Sequence, residues 1–236
     1  MKKYIILLLT IFLIVVTIAE AKNEEYELVS KLSHEKITLY AKKIGDLYQD
    51  FKIDFKGETY FRPFWINVTN PAYAPQIHYE DINKDGEKEL IIILTKGYGT
   101  GLLDEEVHVY RDTHGLIDVL VDNPMAIIYK NVKTSLTTTT AEIKVGDITY
   151  TVDIPPLDIL PSNLFDDIAF GNIIHYEVQD NQLIAKVSGQ VSPVSFIGEI
   201  VIVYEYRAKM YQAKSIKFLP YSLKRWKTKS PDPQSF

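Results

Sequence analysis

Segments in which apolar and polar residues alternate, each bounded by turn residues, recur along most of this chain and restrict it to a β-rich fold. Phe51, Ile53 and Phe55 alternate with polar residues before a turn at Gly57-Glu58, the pattern of a strand with one buried face. The sequence also holds 16 Tyr and 10 Phe, residue types that suit the pleated surface of a sheet. Similar patterns predict further strands at residues 60–68, 76–79, 90–95, 106–110, 116–121, 133–144, 148–154, 173–179, 183–191, 199–207 and 210–218.

A different period precedes these strands. Between residues 33 and 51 the apolar residues recur every three or four positions, at Ile37, Tyr40, Ile44, Leu47 and Phe51. This spacing predicts an amphipathic helix, with Ser33 as its N-cap and Glu35 near the positive end of its dipole. Asn123-Pro124 opens a second, short helical or turn segment. The predicted fold class is therefore α+β, a mainly antiparallel β-sheet with an N-terminal amphipathic helix.

The first 21 residues have the three parts of a secretory signal peptide. Lys2 and Lys3 precede an apolar run over residues 4–19, which ends in Ala19-Glu20-Ala21. This run is shorter than the roughly 20 residues that span a bilayer, and no later apolar run approaches that length. We therefore predict cleavage after Ala21 and a secreted or cell-surface protein without a further membrane span. An uncleaved N-terminal anchor is the alternative.

The rest of the chain is predicted to form a single domain over residues 22–225. Three prolines in residues 155–171 mark the place where two smaller domains would join instead. Residues 226–236 are predicted to be a flexible tail.

Charge and cysteine content exclude several classes of function. The chain is acidic, with a formal net charge of −5, whereas nucleic-acid binding requires clusters of basic residues. We therefore expect no nucleic-acid partner. The chain has no Cys, which excludes disulfides, thiolate zinc sites and a thiol nucleophile. The five His residues do not form a zinc-binding spacing.

The most informative motif is residues 81–89, Asp-Ile-Asn-Lys-Asp-Gly-Glu-Lys-Glu. Oxygen-bearing residues occupy its alternate positions, and Gly86 takes the sharp turn at the sixth, as calcium loops require. The predicted ligands are Asp81, Asn83, Asp85, Glu87 through its backbone carbonyl, and Glu89. Because the twelfth position is Ile92 and not a bidentate Glu, we expect a weak site with a Kd of about 10⁻⁴–10⁻³ M. A metal-free turn is the alternative, since Asn, Asp and Gly also favour turns.

This loop resembles the D-x-[DN]-x-D-G-x-x-[DE] loops of FG-GAP/VCBS-like modules, which also continue into an apolar strand. The resemblance covers about fifteen residues, from 78 to 93, and implies a calcium ion bound between two strands of a sheet. It does not imply a propeller, which needs several copies of the motif. The chain is also similar to a group of uncharacterised secreted proteins of spore-forming Gram-positive bacteria, through residues 96–101, 105–109 and 189–193. That similarity implies an extracellular location but no activity.

Two further segments allow a functional and a plain structural interpretation. Residues 96–101, Lys-Gly-Tyr-Gly-Thr-Gly, are interpreted as a mobile connection between strands, or as a ligand-gripping loop with Tyr98 as a stacking surface. Asp104-Glu105-Glu106 is interpreted as a solvated turn, or as an acid/base pair.

We therefore expect a secreted, non-catalytic, calcium-stabilised binding or surface module for an extracellular or cell-surface ligand that the sequence does not identify. The alternative is an extracellular hydrolase of cell-wall or polymer substrates with a structural calcium ion. A deep cleft with two facing carboxylates would favour the hydrolase. An inhibitor or immunity-type protein is a third class, and an exposed apolar patch would favour it.

Overall fold

The computed structural model describes residues 25–221, so the predicted signal peptide and the predicted tail lie outside the described residues. Fifteen strands and one α-helix form within this range. The strands are β1 Tyr26–Leu32, β2 Ile37–Ile44, β3 Leu47–Phe55, β4 Glu58–Val68, β5 Gln76–Glu80, β6 Glu89–Gly99, β7 Leu102–Asp112, β8 Leu116–Val121, β9 Val132–Leu136, β10 Thr140–Val145, β11 Ile148–Asp153, β12 Ala169–Gln179, β13 Gln182–Ser192, β14 Ser195–Arg207 and β15 Met210–Pro220. The helix α1 is Pro124–Asn131, and short 3₁₀ turns lie at Ser33–Glu35, Pro71–Tyr73, Pro155–Leu157 and Pro161–Asn163.

The predicted N-terminal helix is wrong, and with it the α+β class: the described chain is mostly β, with antiparallel strand pairs dominant. Residues 37–55 form the hairpin β2–β3, turned at Gly45, whose φ is +62°. The side chains of Ile37, Leu39 and Ala41 alternate into the core, whereas Ile44, which a helical stripe would bury, is 41% exposed. The apolar residues of this segment fit both the helical spacing of three to four and the strand spacing of two. The strand spacing prevails because Gly45 can adopt the left-handed conformation that the turn of the hairpin needs.

Three sheets result. Strands β1-β2-β3-β4 form a four-stranded sheet, β11-β10-β9 form a three-stranded sheet, and the largest sheet has the order β12-β13-β14-β15-β8-β7-β6-β5. β12 also pairs in parallel with β7, where Ile173 and Ile174 lie opposite Leu103 and Asp104. Because β6 occupies the other edge of β7, this pairing closes β7, β8, β15, β14, β13 and β12 into a six-stranded ring.

Strand β6 lies between two hydrophobic cores. Leu90, Ile92 and Leu94 pack with the four-stranded sheet, and Ile91 and Ile93 pack in the core of the six-stranded ring and the three-stranded sheet. Successive side chains of a strand point to opposite faces, so β6 is buried on both sides and reads as a continuous apolar run. The loop that precedes β6 is therefore attached to a strand that is buried on both faces over residues 89–95.

The segment predicted as a loop or joint, residues 155–171, packs on the ring core. It contains two 3₁₀ turns, and Ile168 is buried there. The side chains of Leu157 and Leu164 are partly buried against the same core. No helix within residues 25–221 is long and apolar enough to cross a membrane.

Candidate metal centre

The loop of residues 81–88 joins β5 to β6, which are antiparallel neighbours with Glu80 opposite Glu89. Ile82 is buried in the ring core and anchors the loop at its start. Lys84 and Gly86 adopt left-handed backbone conformations, with φ of +64° and +92°. The chain therefore reverses direction over a few residues while both ends stay fixed in the sheet.

Side-chain oxygens at the first, third and fifth positions turn inward and accept the loop's own N–H groups. Asp81 Oδ1 accepts the N–H groups of Lys84 at 2.7 Å and of Asp85 at 3.2 Å, and its Oδ2 accepts that of Gly86 at 3.0 Å. Asn83 Oδ1 accepts the N–H of Asp85 at 2.8 Å. Asp85 Oδ1 in turn accepts the N–H of Glu87 at 3.0 Å. These bonds fix where the three side chains point.

Glu89 closes the loop from the first position of β6, and it is fully buried. Its Oε2 accepts the N–H of Ile82 at 3.0 Å, and its Oε1 accepts Nδ2 of Asn83 at 2.6 Å. Burial, together with the nearby carboxylates of Asp85 and Asp81, raises the pKa of Glu89 to about 7 against the opposing effects of the Ile82 hydrogen bond and Arg111. The loop thus concentrates more negative charge than its surroundings neutralise.

Arg111 of β7 is the nearby cation that the loop motif does not predict. It lies opposite Glu89 in the β6–β7 register. Its Nη2 is 2.5 Å from Asp85 Oδ2 and 3.5 Å from Glu87 Oε2, and its Nε is 3.9 Å from Glu89 Oε1. The guanidinium also lies 5.3 Å from the centre of the Tyr206 ring. Strand pairing, not sequence spacing, brings this residue to the loop.

Tyr211 of β15 completes the surroundings of the loop. Its side chain is 1% exposed, and its hydroxyl has no hydrogen-bond partner among the described residues. Burial raises the pKa of this phenol, and the negative charges of Glu89 and Asp85 raise it further. A buried hydroxyl without a partner, within electrostatic reach of two carboxylates, indicates a polar site that the protein groups do not fully satisfy.

Of the five predicted ligands, Asn83 contacts Asp85 and Glu89 through its side chain, and Asp81 accepts backbone N–H groups of the same loop. The carboxylate of the fifth, Glu87, is 60% exposed and faces Arg111; the sequence assigned it only a backbone ligand. Within residues 25–221 no three His, Asp or Glu side chains converge closely enough to hold a metal ion. The donor chemistry nevertheless suits a hard cation, since the inward atoms of the loop are carboxylate and amide oxygens.

Most of the glycine-rich segment 96–101 lies within strand β6 and not in the connection between strands. β6 extends to Gly99, so the connection to β7 is the short turn at Thr100-Gly101. Tyr98 stacks on Tyr73, with ring centroids 4.4 Å apart. The stacking surface proposed for Tyr98 is therefore already in contact with another aromatic ring.

The prediction of a solvated turn at Asp104-Glu105-Glu106 is wrong. The three residues lie within β7, and Glu105 is buried. They line a cavity of about 230 Å³ between β7 and β12. Asp104 and Glu106 both pair with Lys96, at 3.6 and 3.5 Å, and Glu105 bonds to β12. Each of these carboxylates thus has a cationic or N–H partner.

Comparison of the chain with protein-family models, with curated proteins and with solved structures found no match.

Proposed function

We propose that this protein is a secreted, non-catalytic, calcium-stabilised binding or surface module. The ion would be held by the loop oxygens of Asp81, Asn83, Asp85, Glu87 and Glu89. The observation that carries the proposal is the inward turn of the Asp81, Asn83 and Asp85 side-chain oxygens in the loop that the buried Glu89 closes. The buried Tyr211 hydroxyl, which feels the charges of Glu89 and Asp85, has no hydrogen-bond partner within residues 25–221.

Charge in the loop supports the same conclusion. Asp81, Asp85 and Glu89 carry carboxylates within one short loop, and Asp81 and Asp85 each act on Glu89 electrostatically. Like charges in close quarters disfavour one another's ionisation. A bound calcium ion would supply the divalent positive charge that lets all three ionise together.

The place of the loop in the fold gives the ion a structural role. Glu89 begins β6, the strand between the two cores, and Lys88 pairs with Glu35 at 2.7 Å, beyond the end of β1. A cation that orders residues 81–89 would therefore fix the start of β6 and the contact between the loop and the four-stranded sheet. Ordering of this kind stabilises a binding surface without taking part in chemistry.

The alternative, an extracellular hydrolase of wall or polymer substrates, has less support. Its mechanism needs two carboxylates that face a substrate across a cleft. In the 230 Å³ cavity Asp104 and Glu106 pair with Lys96, and Glu105 bonds to His175.

Calcium titration of the purified protein tests the proposal, by calorimetry and by thermal unfolding in EDTA and in calcium. We expect saturable binding at about 10⁻⁴–10⁻³ M and a stabilisation of about 1.4 kcal/mol at ten times the Kd. An Asp81→Ala/Asp85→Ala variant should lose both. An Asp147→Ala/Asp153→Ala variant removes the same charge from exposed positions of the β10–β11 hairpin and should keep both. Absence of binding at millimolar calcium, with melting of the wild-type protein independent of the ion, would refute the proposal.

A further inference from the structure

Arg111 already supplies a positive charge to the loop that the proposed function assigns to calcium. We propose that Arg111 is the resident counter-ion of residues 81–89: it holds the metal-free loop in place and lowers the calcium affinity by competing for Asp85. This inference rests on the proposed function and adds the residue that regulates the site.

The position of Arg111 is fixed by its own strand and not by the loop. It pairs with Glu89 in the β6–β7 register, and its guanidinium lies over the Tyr206 ring at 5.3 Å. Its side chain is only 25% exposed. The guanidinium is therefore held against the loop at little further cost in side-chain entropy.

Competition follows from the oxygen atoms that Arg111 uses. Asp85 Oδ1 accepts the backbone N–H of Glu87, and Oδ2 is its oxygen without a backbone partner. That atom accepts Nη2 of Arg111 at 2.5 Å and Nδ2 of Asn83 at 3.0 Å. Asp85 cannot keep the guanidinium and bind a divalent cation through the same oxygen, because the two positive charges would repel at contact distance.

Arg111 is also an incomplete substitute for a metal ion. Its Nε is buried and makes no hydrogen bond among the described residues, since the nearest Glu89 oxygen is 3.9 Å away. The buried Tyr211 hydroxyl likewise lacks a hydrogen-bond partner within residues 25–221. The guanidinium therefore leaves the buried Glu89 carboxylate and the Tyr211 hydroxyl oxygen available to a cation with a larger charge and more coordination positions.

The test compares the full-length wild-type protein with an Arg111→Gln variant, by calorimetric titration with calcium chloride and by melting in EDTA and in saturating calcium. We expect Arg111→Gln to melt at a lower temperature than wild type in EDTA. Its calcium affinity should be about five- to tenfold higher, the effect of removing one partly screened positive charge. Its melting temperature should therefore rise more on calcium addition than that of the wild-type protein.

Arg62→Gln is the matched control. Arg62 is another partly buried arginine over aromatic rings, with its guanidinium 4.9 Å from the Tyr110 ring and 3.5 Å from Asp118. Its loss should change stability but leave the calcium affinity within about twofold. Arg111→Lys keeps the charge without the planar fork, and its affinity should lie closer to wild type than to Arg111→Gln.

The outcomes separate this inference from the proposed function. Calcium binding by the wild type with equal or weaker binding by Arg111→Gln would overturn the role of Arg111 and leave the calcium site standing. Absence of binding by both would overturn both. Binding by Arg111→Gln alone would support the role of Arg111 and overturn the proposed calcium function of the wild-type protein, since the wild-type loop would then be closed to calcium by its own arginine. If Arg111→Gln does not fold, an affinity of Arg111→Lys equal to that of wild type supports the charge argument, and a loss of binding by Arg111→Lys overturns it.

Discussion

The buried carboxylate of Glu105, on β7, lies 2.9 Å from Nδ1 of His175, on β12. The same Oε2 atom accepts the backbone N–H of Tyr176 at 2.7 Å. The backbones of the two strands pair over two residues each, 103–104 and 173–174. Glu105 therefore reinforces the short junction that closes the six-stranded ring.

This pair predicts a pH dependence of stability. The hydrogen bond that His175 donates to the Glu105 carboxylate raises the pKa of His175 above its ordinary 6.5, against the opposing effect of burial. Because folded His175 holds its proton more tightly than the unfolded chain does, its contribution is fully present below pH 6.5 and is lost as the pH rises through the raised pKa. The free energy of unfolding of wild type relative to His175→Gln should fall over that interval.

An NMR titration of the His175 imidazole measures this pKa directly. We expect a midpoint above 6.5 in the wild-type protein and a lower midpoint in Glu105→Gln, which removes the charged acceptor. A wild-type midpoint at or below 6.5 would mean that the contact does not favour the imidazolium.

The environment of His108 gives stability the opposite dependence on pH. Its imidazole stacks on Trp65 with centroids 4.3 Å apart, and burial lowers its pKa to about 4 although Glu106 lies nearby. Between pH 6.5 and 4, His108 is protonated in the unfolded chain but stays neutral in the folded chain. Lowering the pH over this range therefore reduces the free energy of unfolding by on the order of 3 kcal/mol.

A His108→Phe variant should remove that sensitivity, because Phe keeps a flat ring and the buried Nε2 of His108 has no hydrogen bond to lose among the described contacts. In chemical denaturation at several pH values, the free energy of unfolding of the variant should rise relative to that of the wild type as the pH falls from 6.5 to 4. A difference that stays constant over this range would contradict the assignment.

Local sequence patterns predicted most strands correctly because alternation and turn residues act over a few positions. They failed where local signals conflicted. Residues 133–144 were predicted as one strand, but Thr137 Oγ1 accepts the N–H groups of Thr139 and Thr140, and this turn divides β9 from β10. Three successive acids suggested a solvated turn, whereas strand alternation turns Glu105 inward.

The candidate site was predictable only in part for a related reason. The loop ligands lie within nine residues, so their spacing is visible in the sequence. Arg111 and Tyr211 reach the loop through the β6–β7 register and the closure of the six-stranded ring, both of which depend on contacts between distant residues. The sequence therefore indicates the anionic half of the site, and neither the arginine that balances its charge nor the buried phenol near it.

Asn67 connects the four-stranded sheet to β6, and its loss should be costly. Its buried Nδ2 donates to the carbonyls of Val68 at 2.7 Å and Tyr73 at 2.9 Å, and its Oδ1 accepts the N–H of Thr95 at 2.7 Å. Asn67→Leu keeps a similar volume but leaves these groups without partners, so we expect a loss of about 2–4 kcal/mol. Denaturant unfolding measures it, with Asn163→Leu at an exposed position as the control. Equal stabilities of the two variants would show that water replaces the Asn67 bonds.

The close packing around Gly198 of β14 leaves no room for a side chain at this position of the six-stranded ring. A Cβ atom at this position would lie 2.5 Å from the backbone oxygen of Leu219 and 2.5 Å from the Phe218 ring. The carbonyl belongs to the neighbouring strand β15 and cannot move without breaking the ladder, so Gly198→Ala should lower the free energy of unfolding by about 1–3 kcal/mol or more. Gly97→Ala is the matched control, because its Cβ would meet no atom closer than 4.0 Å. If both substitutions lower the free energy of unfolding equally, β15 must shift to accept the new Cβ atom, and the close packing around Gly198 does not limit the side chain there.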